Sequence, residues 1–342
     1  MPPVDFELTT EQAQISEVVR EILADACSTP VREPGAAATV RLGATLAETG
    51  LAGILVPAAF GGSGATLVEA AILGEALGGA GAAGSVIAST LIGGAALELV
   101  RDRDQGEVAE AIVGGRPCAV LVADDLSWPP RGAGDVARGW LEGSIVLVPE
   151  GEELVVARGG EFSPVLTVDL GLTVGRSSGE GAATSSTIAS SAAGRRFLAA
   201  TNVVMSSVLL GHMQSVFDAA VAYSSQRTQY GVPIGSFQAI RHLCADMLVD
   251  VDASRSATYG AAWAVSSLDD PEARDRSGAV AKAWCSDAGL RVCETALQVH
   301  GGIGFTWESE INDHLRATHV ARASFMPPEH ALDLVAGAAS WI

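Results

Sequence analysis

FLAATNVVMSSVLLGHMQSVFDAAVAYSSQ (residues 197–226), RTQYGVPIGSFQ (227–238) and AIRHLCADMLVDVDASRSATYGAAWAVSSL (239–268) decide how the chain is read. The first run is apolar on nearly every side. The second is a turn carrying Gly231, Pro233 and Gly235, and the third returns with helical composition. Two long helices joined by a short Gly/Pro turn form an antiparallel hairpin. A hairpin without a polar face has to lie inside a bundle. Residues 197–223 are also long enough to raise the question of a membrane span. Asn202, His212, Gln214 and Asp218 interrupt them, and no basic flank follows the positive-inside pattern, which favours a buried bundle helix and no membrane.

Upstream, Thr9 or Thr10 can cap a first helix, with Gln12 three residues after Thr9. Helical patterns follow at 40–48, 66–77, 85–100 and 107–113. At Pro117 the composition changes. CAVLVADD (118–125), GSIVLVPEG (143–151), EELVVARG (152–159) and PVLTVDLG (164–171) read as short strands separated by turns. Residues 171–194 read as loop or weak strand, and from Arg195 the pattern is helical again. Residues 269–276 read as a charged connection, 277–298 as a long helix, 311–323 as its successor, and 329–339 as a terminal helix after Met326-Pro327-Pro328. The fold class is α+β, mainly α: an N-terminal helical domain (1–117), a small middle β-domain (118–194) and a C-terminal four-helix bundle (195–342).

The 342 residues are 48% hydrophobic and 18% charged, which specifies a packed core. A net charge of −19 excludes nucleic acid as a natural partner. Cys27, Cys118, Cys244, Cys285 and Cys293 are odd in number and lack CxxC spacing. That suits a reducing cytoplasm and supplies neither a disulfide framework nor a metal site. The polar, acidic start MPPVDFELTTEQAQ is not a signal peptide.

Four stretches carry a resemblance to the acyl-CoA dehydrogenase family over nearly the whole chain. They are DFELTTEQ, GLAGILVPAAFGGSGATLVEAAILGEALG, SQRTQYGVPIGSFQAIRHLCADM and LQVHGGIGFTWESEINDHLR. The resemblance implies an FAD enzyme that oxidises an acyl-CoA thioester to the trans-2-enoyl-CoA. It also implies paired subunits in which one bundle holds the ADP end of the neighbour's FAD. The positions matching the ADP-holding set are Arg227, Gln238, Gln298, Gly301 and Gly302, with Tyr230, Ile234 and Phe237 lining the site. The chemistry agrees. Arg227 offers permanently charged, planar donors to a diphosphate, Gln238 can pair with an adenine or ribose edge, and Gly301-Gly302 lets backbone approach a phosphate. Singly, each has a plainer reading: a helix cap, a surface amide, a helix stop.

The family draws its glutamate base from one of two positions, which match Phe325 and Thr201 here, with Asn202 in place of an arginine. Neither residue can take the α-proton. Glu329 is the nearest acid to the first position, and its plainer role is to favour a helix dipole. His300 and His330 read as structural or solvated, and Trp128 and Trp140 as core. ADDLSWPPRGAGD (123–135) keeps little of the polar loop that meets a flavin ring in the family.

The half-site lent to a neighbour is thus retained, while the half-site for the chain's own flavin is degraded. This is similar to actinobacterial acyl-CoA dehydrogenases of steroid side-chain oxidation, α2β2 complexes with two FAD in which one chain carries the glutamate. The resemblance implies the non-catalytic chain, with a homologous catalytic subunit, an acyl-CoA and an electron-transferring flavoprotein as partners. Two alternatives stand beside it: a complete homo-oligomer using Glu329 or another base, and a scaffold without flavin contact.

Overall fold

The computed structural model describes residues 8–26, 36–82, 84–131, 134–157, 161–178, 186–306 and 309–338; Cys27 lies outside them. Helix α1 (Thr10–Ala26) begins at a reciprocal cap. The Thr9 hydroxyl accepts from the Gln12 amide at 3.2 Å, and the Gln12 side-chain oxygen accepts from the Thr9 amide at 3.0 Å. Helices α2 (Ala36–Glu48) and α3 (Leu67–Gly79) follow, and α3 opens on a second capping box built by Thr66 and Glu69. A continuous apolar helical run then comprises α4 (Gly84–Ile87), a π-helical turn and α5 (Gly93–Ala96), before α6 (Asp102–Val113).

The sheet has six strands: β1 (Cys118–Val122), β2 (Val136–Arg138), β3 (Ile145–Glu150), β4 (Glu153–Val156), β5 (Phe162–Val165) and β6 (Val174–Ser177). Their order is β4-β3-β1-β2-β6-β5. Only β1 and β3 run parallel, with Ala119 opposite Val146. Every residue of β1 is buried because both faces are covered. Gly93 of α5 lies against Cys118 on one side. On the other, Ala119, Ala137 and Val146 pack beneath Trp140 and Phe162. The sequence reading missed β2 and β6. Each is short and carries an arginine, and β6 carries a glycine, so neither shows the Val/Ile/Leu run of β1, β3 and β4, and the run read as a strand at 164–171 overlaps β5 only at Pro164 and Val165.

Helix resumes before Arg195, with α7 (Ser186–Ser190) and then α8 (Ala192–Gln226), 35 residues long. A two-residue hairpin of β7 (Thr228–Gln229) and β8 (Val232–Pro233) leads to α9 (Gln238–Ser267). Helix α10 (Pro271–His300) begins inside the stretch read as a charged connection. Asp270 caps it by accepting from the Glu272 amide at 3.0 Å, and Pro271 fills the first turn, where no amide is needed. Helices α11 (Glu310–Ala323) and α12 (Pro328–Ala338) close the chain.

Helix α8 has the length and apolarity of a membrane span, but most of its apolar stretch is buried against other helices of the same chain. It packs on α10, α3 and α9 at once, which explains its lack of a polar face. Its approach to α3 is backbone to backbone: a Cβ on Gly211 would sit 2.0 Å from the Glu75 carbonyl oxygen, and one on Gly78 would sit 2.2 Å from that of Val208.

Candidate functional site

Three chain segments meet at one end of the bundle. Helix α8 ends at Arg227, whose carbonyl accepts from the Ile234 amide at 2.8 Å across the hairpin. Tyr230 and Gly231 at the hairpin tip both have positive φ, 53° and 77°. That is the twist a two-residue turn requires, at some cost for tyrosine. Helix α9 starts just beyond, after Phe237, and donates the positive end of its dipole to this region. Helix α10 ends alongside, its His300 ring stacked on Tyr223 of α8 at 4.5 Å and 23°. The His300 ring, with Nδ1 2.8 Å from the Ala296 carbonyl, is thereby structural.

Arg227, Tyr230, Ile234, Phe237, Gln238, Gln298, Gly301 and Gly302 are therefore gathered at this one end. Arg227, Gln238 and Gln298 are exposed, and the Arg227 guanidinium has no ion-pair partner among the described residues. Gly301 ends α10 with φ 63°, and a Cβ added at Gly301 or Gly302 meets nothing within 4 Å, so this backbone is open to an incoming group. Tyr230 is 95% exposed and Phe305 70%, and Val232, Phe237 and Ile303 are exposed as well. This end of the bundle thus sets exposed apolar side chains beside a cation with no ion-pair partner among the described residues. Its donor set (a guanidinium, two amides, free backbone and a helix N-terminus) fits a dinucleotide's diphosphate and base edge.

The positions matched to the family's base have the opposite character. Thr201 is fully buried, and its hydroxyl donates to the Leu198 carbonyl at 3.0 Å. Asn202 donates toward the Met326 sulfur at 3.3 Å, and its Oδ1 has no partner. Phe325 is 1% exposed, with φ 62°. Its backbone is pinned to the loop after β1: its amide donates to the Leu126 carbonyl and its carbonyl accepts from the Trp128 amide, both at 2.8 Å. Its ring lies 6.0 Å from Phe197, which lies 5.0 Å from Trp128, all edge-to-face. Three aromatic rings thus fill the place, and Trp128 is core as the sequence suggests. Trp140 is half-buried against Phe162 on the far face of the sheet. In the loop after β1, Arg131 donates to Asp125, Ser127 and Asp135, while the buried Trp128 Nε1 finds no partner among the described residues. Glu329 is exposed in the first turn of α12.

Two buried cations, Arg138 and Lys282, hydrogen-bond to residues beside Phe325 in sequence, Ser324 and the Arg322 carbonyl. The Arg138 guanidinium lies 6.0 Å from the Phe325 ring centre and donates to Ser324 at 3.3 Å. Burial pushes its pKa down to about 10, and the charge of Asp169 partly opposes this. Lys282 of α10 is wholly buried and donates to the Arg322 carbonyl at 2.7 Å and Ser286 at 3.2 Å. Burial pushes it from 10.5 to about 7. The sequence reading singled out neither. A second cluster it missed is His212 of α8 and His314 of α11, with their Nδ1 atoms 2.9 Å apart and Ser215 3.2 Å from His314 Nε2. Burial lowers both, His314 to about 4, so the pair is neutral near pH 7. The hundred-residue separation hides this pair in the sequence.

Comparison with known proteins agrees with this architecture. The profile "Acyl-CoA dehydrogenase, N-terminal domain" matches residues 9–103, and "Acyl-CoA dehydrogenase, C-terminal domain" matches residues 192–326. Acyl-CoA dehydrogenase IpdE2 of Mycolicibacterium smegmatis is 30% identical over 289 residues, 83% of each chain. Among solved structures, a chain of the ChsE4-ChsE5 complex from Mycobacterium tuberculosis superposes with a TM-score of 0.80 at 22% identity, covering 98% of both chains. A chain of the Tcur3481-Tcur3483 steroid ACAD (G363A variant) superposes with a TM-score of 0.75 at 20% identity, covering 96% of this chain and 97% of that one. The chain belongs to the acyl-CoA dehydrogenase family, whose cofactor is FAD.

Proposed function

We propose that this chain is the non-catalytic subunit of a heteromeric, FAD-dependent acyl-CoA dehydrogenase of the cytoplasm. The observation that carries the reading is the contrast between its two half-sites. The bundle end holding Arg227, Gln238, Gln298 and Gly301-Gly302 is open, without ion pairs among the described residues, and rimmed with exposed apolar side chains. The region of Phe325 and Thr201 is closed by three aromatic rings and offers buried cations in place of a carboxylate.

A bound FAD supplies hydride acceptance at a ring held by a homologous partner chain. In this chain, Arg227 pairs with the diphosphate, Gln238 and Gln298 fix polar edges, and the glycine turn admits the phosphate oxygens to backbone. The α-proton is removed by the partner's carboxylate. A heteromeric assembly is supported by the likeness to a chain of the ChsE4-ChsE5 complex. The steroid dehydrogenase among the similar structures favours a bulky CoA thioester as substrate. An electron-transferring flavoprotein completes the proposed set of partners. The exposed position of Glu329 in the first turn of α12 gives no support to a self-sufficient homo-oligomer.

Arg227→Ala, introduced into the co-purified complex, is expected to lower the affinity for FAD by at least about tenfold, since a charge-assisted pair is lost. The assembly itself is expected to survive. Unchanged flavin retention after gel filtration would remove the bundle-end site from the account.

A further inference from the structure

A cleft of about 580 Å³ opens between the N-terminal helices and the bundle, away from the bundle end that carries Arg227. Phe197 and Ala200 of α8 form its floor, and Gly94 and Ala95 of α5 form one wall. Leu67 at the start of α3 and Val265 near the end of α9 stand opposite, tied together where the Ser266 hydroxyl accepts from the Leu67 amide at 3.1 Å. The volume is that of a site for a single small molecule. The Phe197 ring separates it from Phe325, so it is not the place of the absent base.

The charges at its mouth are unequal in circumstance. Arg196 is held by Glu98 at 3.0 Å. Asp269 is exposed and solvated. Arg274, in the first turn of α10, is half-buried and has no carboxylate within ion-pair distance among the described residues. Asp275 feels the charge of Arg274, but its closer partner is Arg195 at 3.7 Å. A half-buried guanidinium beside apolar walls gains most from a carboxylate that brings its own apolar body. An exposed carboxylate such as Asp269 gains little from any counterion.

We infer that this cleft is a binding site for an amphipathic carboxylate, with its apolar body on Phe197 and Ala200 and its acid on Arg274. A chain acid and a ring-system acid share that chemistry, and the test separates them. The full-length chain is titrated calorimetrically with laurate, with cholate and with the neutral amide of each. One-to-one binding of at least one acid tighter than about 1 mM is expected. Laurate alone identifies an acyl-chain site, and cholate alone a ring site. Arg274→Ala should weaken the acid by about tenfold or more and leave the amide unchanged. Ser267→Trp, an exposed rim position, should abolish binding of both without changing the melting temperature. The inference is overturned if neither acid binds, or if both variants bind as the parent does. Flavin content of the complex is read in parallel. Neither substitution touches the bundle end, so failure here leaves the proposed function standing.

Discussion

Lys282 shows how one side chain can tie a site's chemistry to the stability of the whole protein. Its ammonium is buried against two neutral acceptors, Ser286 and the Arg322 carbonyl, and its pKa falls to about 7 against 10.5 in an unfolded chain. Between those values the unfolded state binds more protons than the folded one, so folding stability rises with pH across that window. Below it both states are protonated and the full cost of burying the charge is present. We expect the parent to gain about 2 kcal/mol between roughly pH 7 and pH 9 relative to Lys282→Met, read from urea unfolding at each pH. Equal slopes for the two proteins would contradict the assignment. Phe325 makes a second case at this scale. Its ring packs edge-on against Phe197 and its backbone holds φ 62°. Phe325→Ala should cost about 3–5 kcal/mol through the lost ring, and Phe325→Gly about 1 kcal/mol less because glycine tolerates that φ. A more stable alanine variant would refute the strain. Of these residues only Phe325 was visible in the sequence, through its family position. Lys282 was not, because its partners include a backbone carbonyl 40 residues away, which no sequence pattern marks.

At the level of helices and strands, what was legible followed from composition repeated over many residues. The α8–turn–α9 hairpin, the cap at Thr9, and the Val-rich strands β1, β3 and β4 all carry such signals. Strands β2 and β6 do not, since tertiary burial rather than local preference makes Val136–Arg138 and Val174–Ser177 strands. The start of α10 was obscured by its charges, although Asp270-Pro271 is a helix-opening pair. The α3–α8 crossing was also hidden, because a glycine inside an apolar run does not announce what it touches. Gly211→Ala would place a Cβ 2.0 Å from the Glu75 carbonyl oxygen. It is expected to lose about 3 kcal/mol or more by thermal unfolding. Gly106→Ala, exposed in α6 with nothing within 4 Å, should gain up to about 1 kcal/mol. The same substitution with opposite signs at two helical glycines separates backbone contact from helix propensity. A neutral Gly211→Ala would mean that the two helices can part without cost.

Across the whole molecule, one end of the bundle is finished by its own side chains and the other is not. Trp128, Phe197 and Phe325 close the interior at the position matched to the family's base. Arg227 and the Gly301-Gly302 turn stand open among exposed aromatics. The sequence could show which residue types stand at these positions but not that one set is buried and the other bare, because exposure is a property of the assembled helices. The most direct test of this division is the flavin absorbance and native mass of the chain purified alone and with a homologous glutamate-bearing dehydrogenase chain. The account predicts a colourless chain alone and a yellow α2β2 complex with one FAD per pair of unlike subunits. A chain that alone carries one FAD per subunit and bleaches with an acyl-CoA would contradict it.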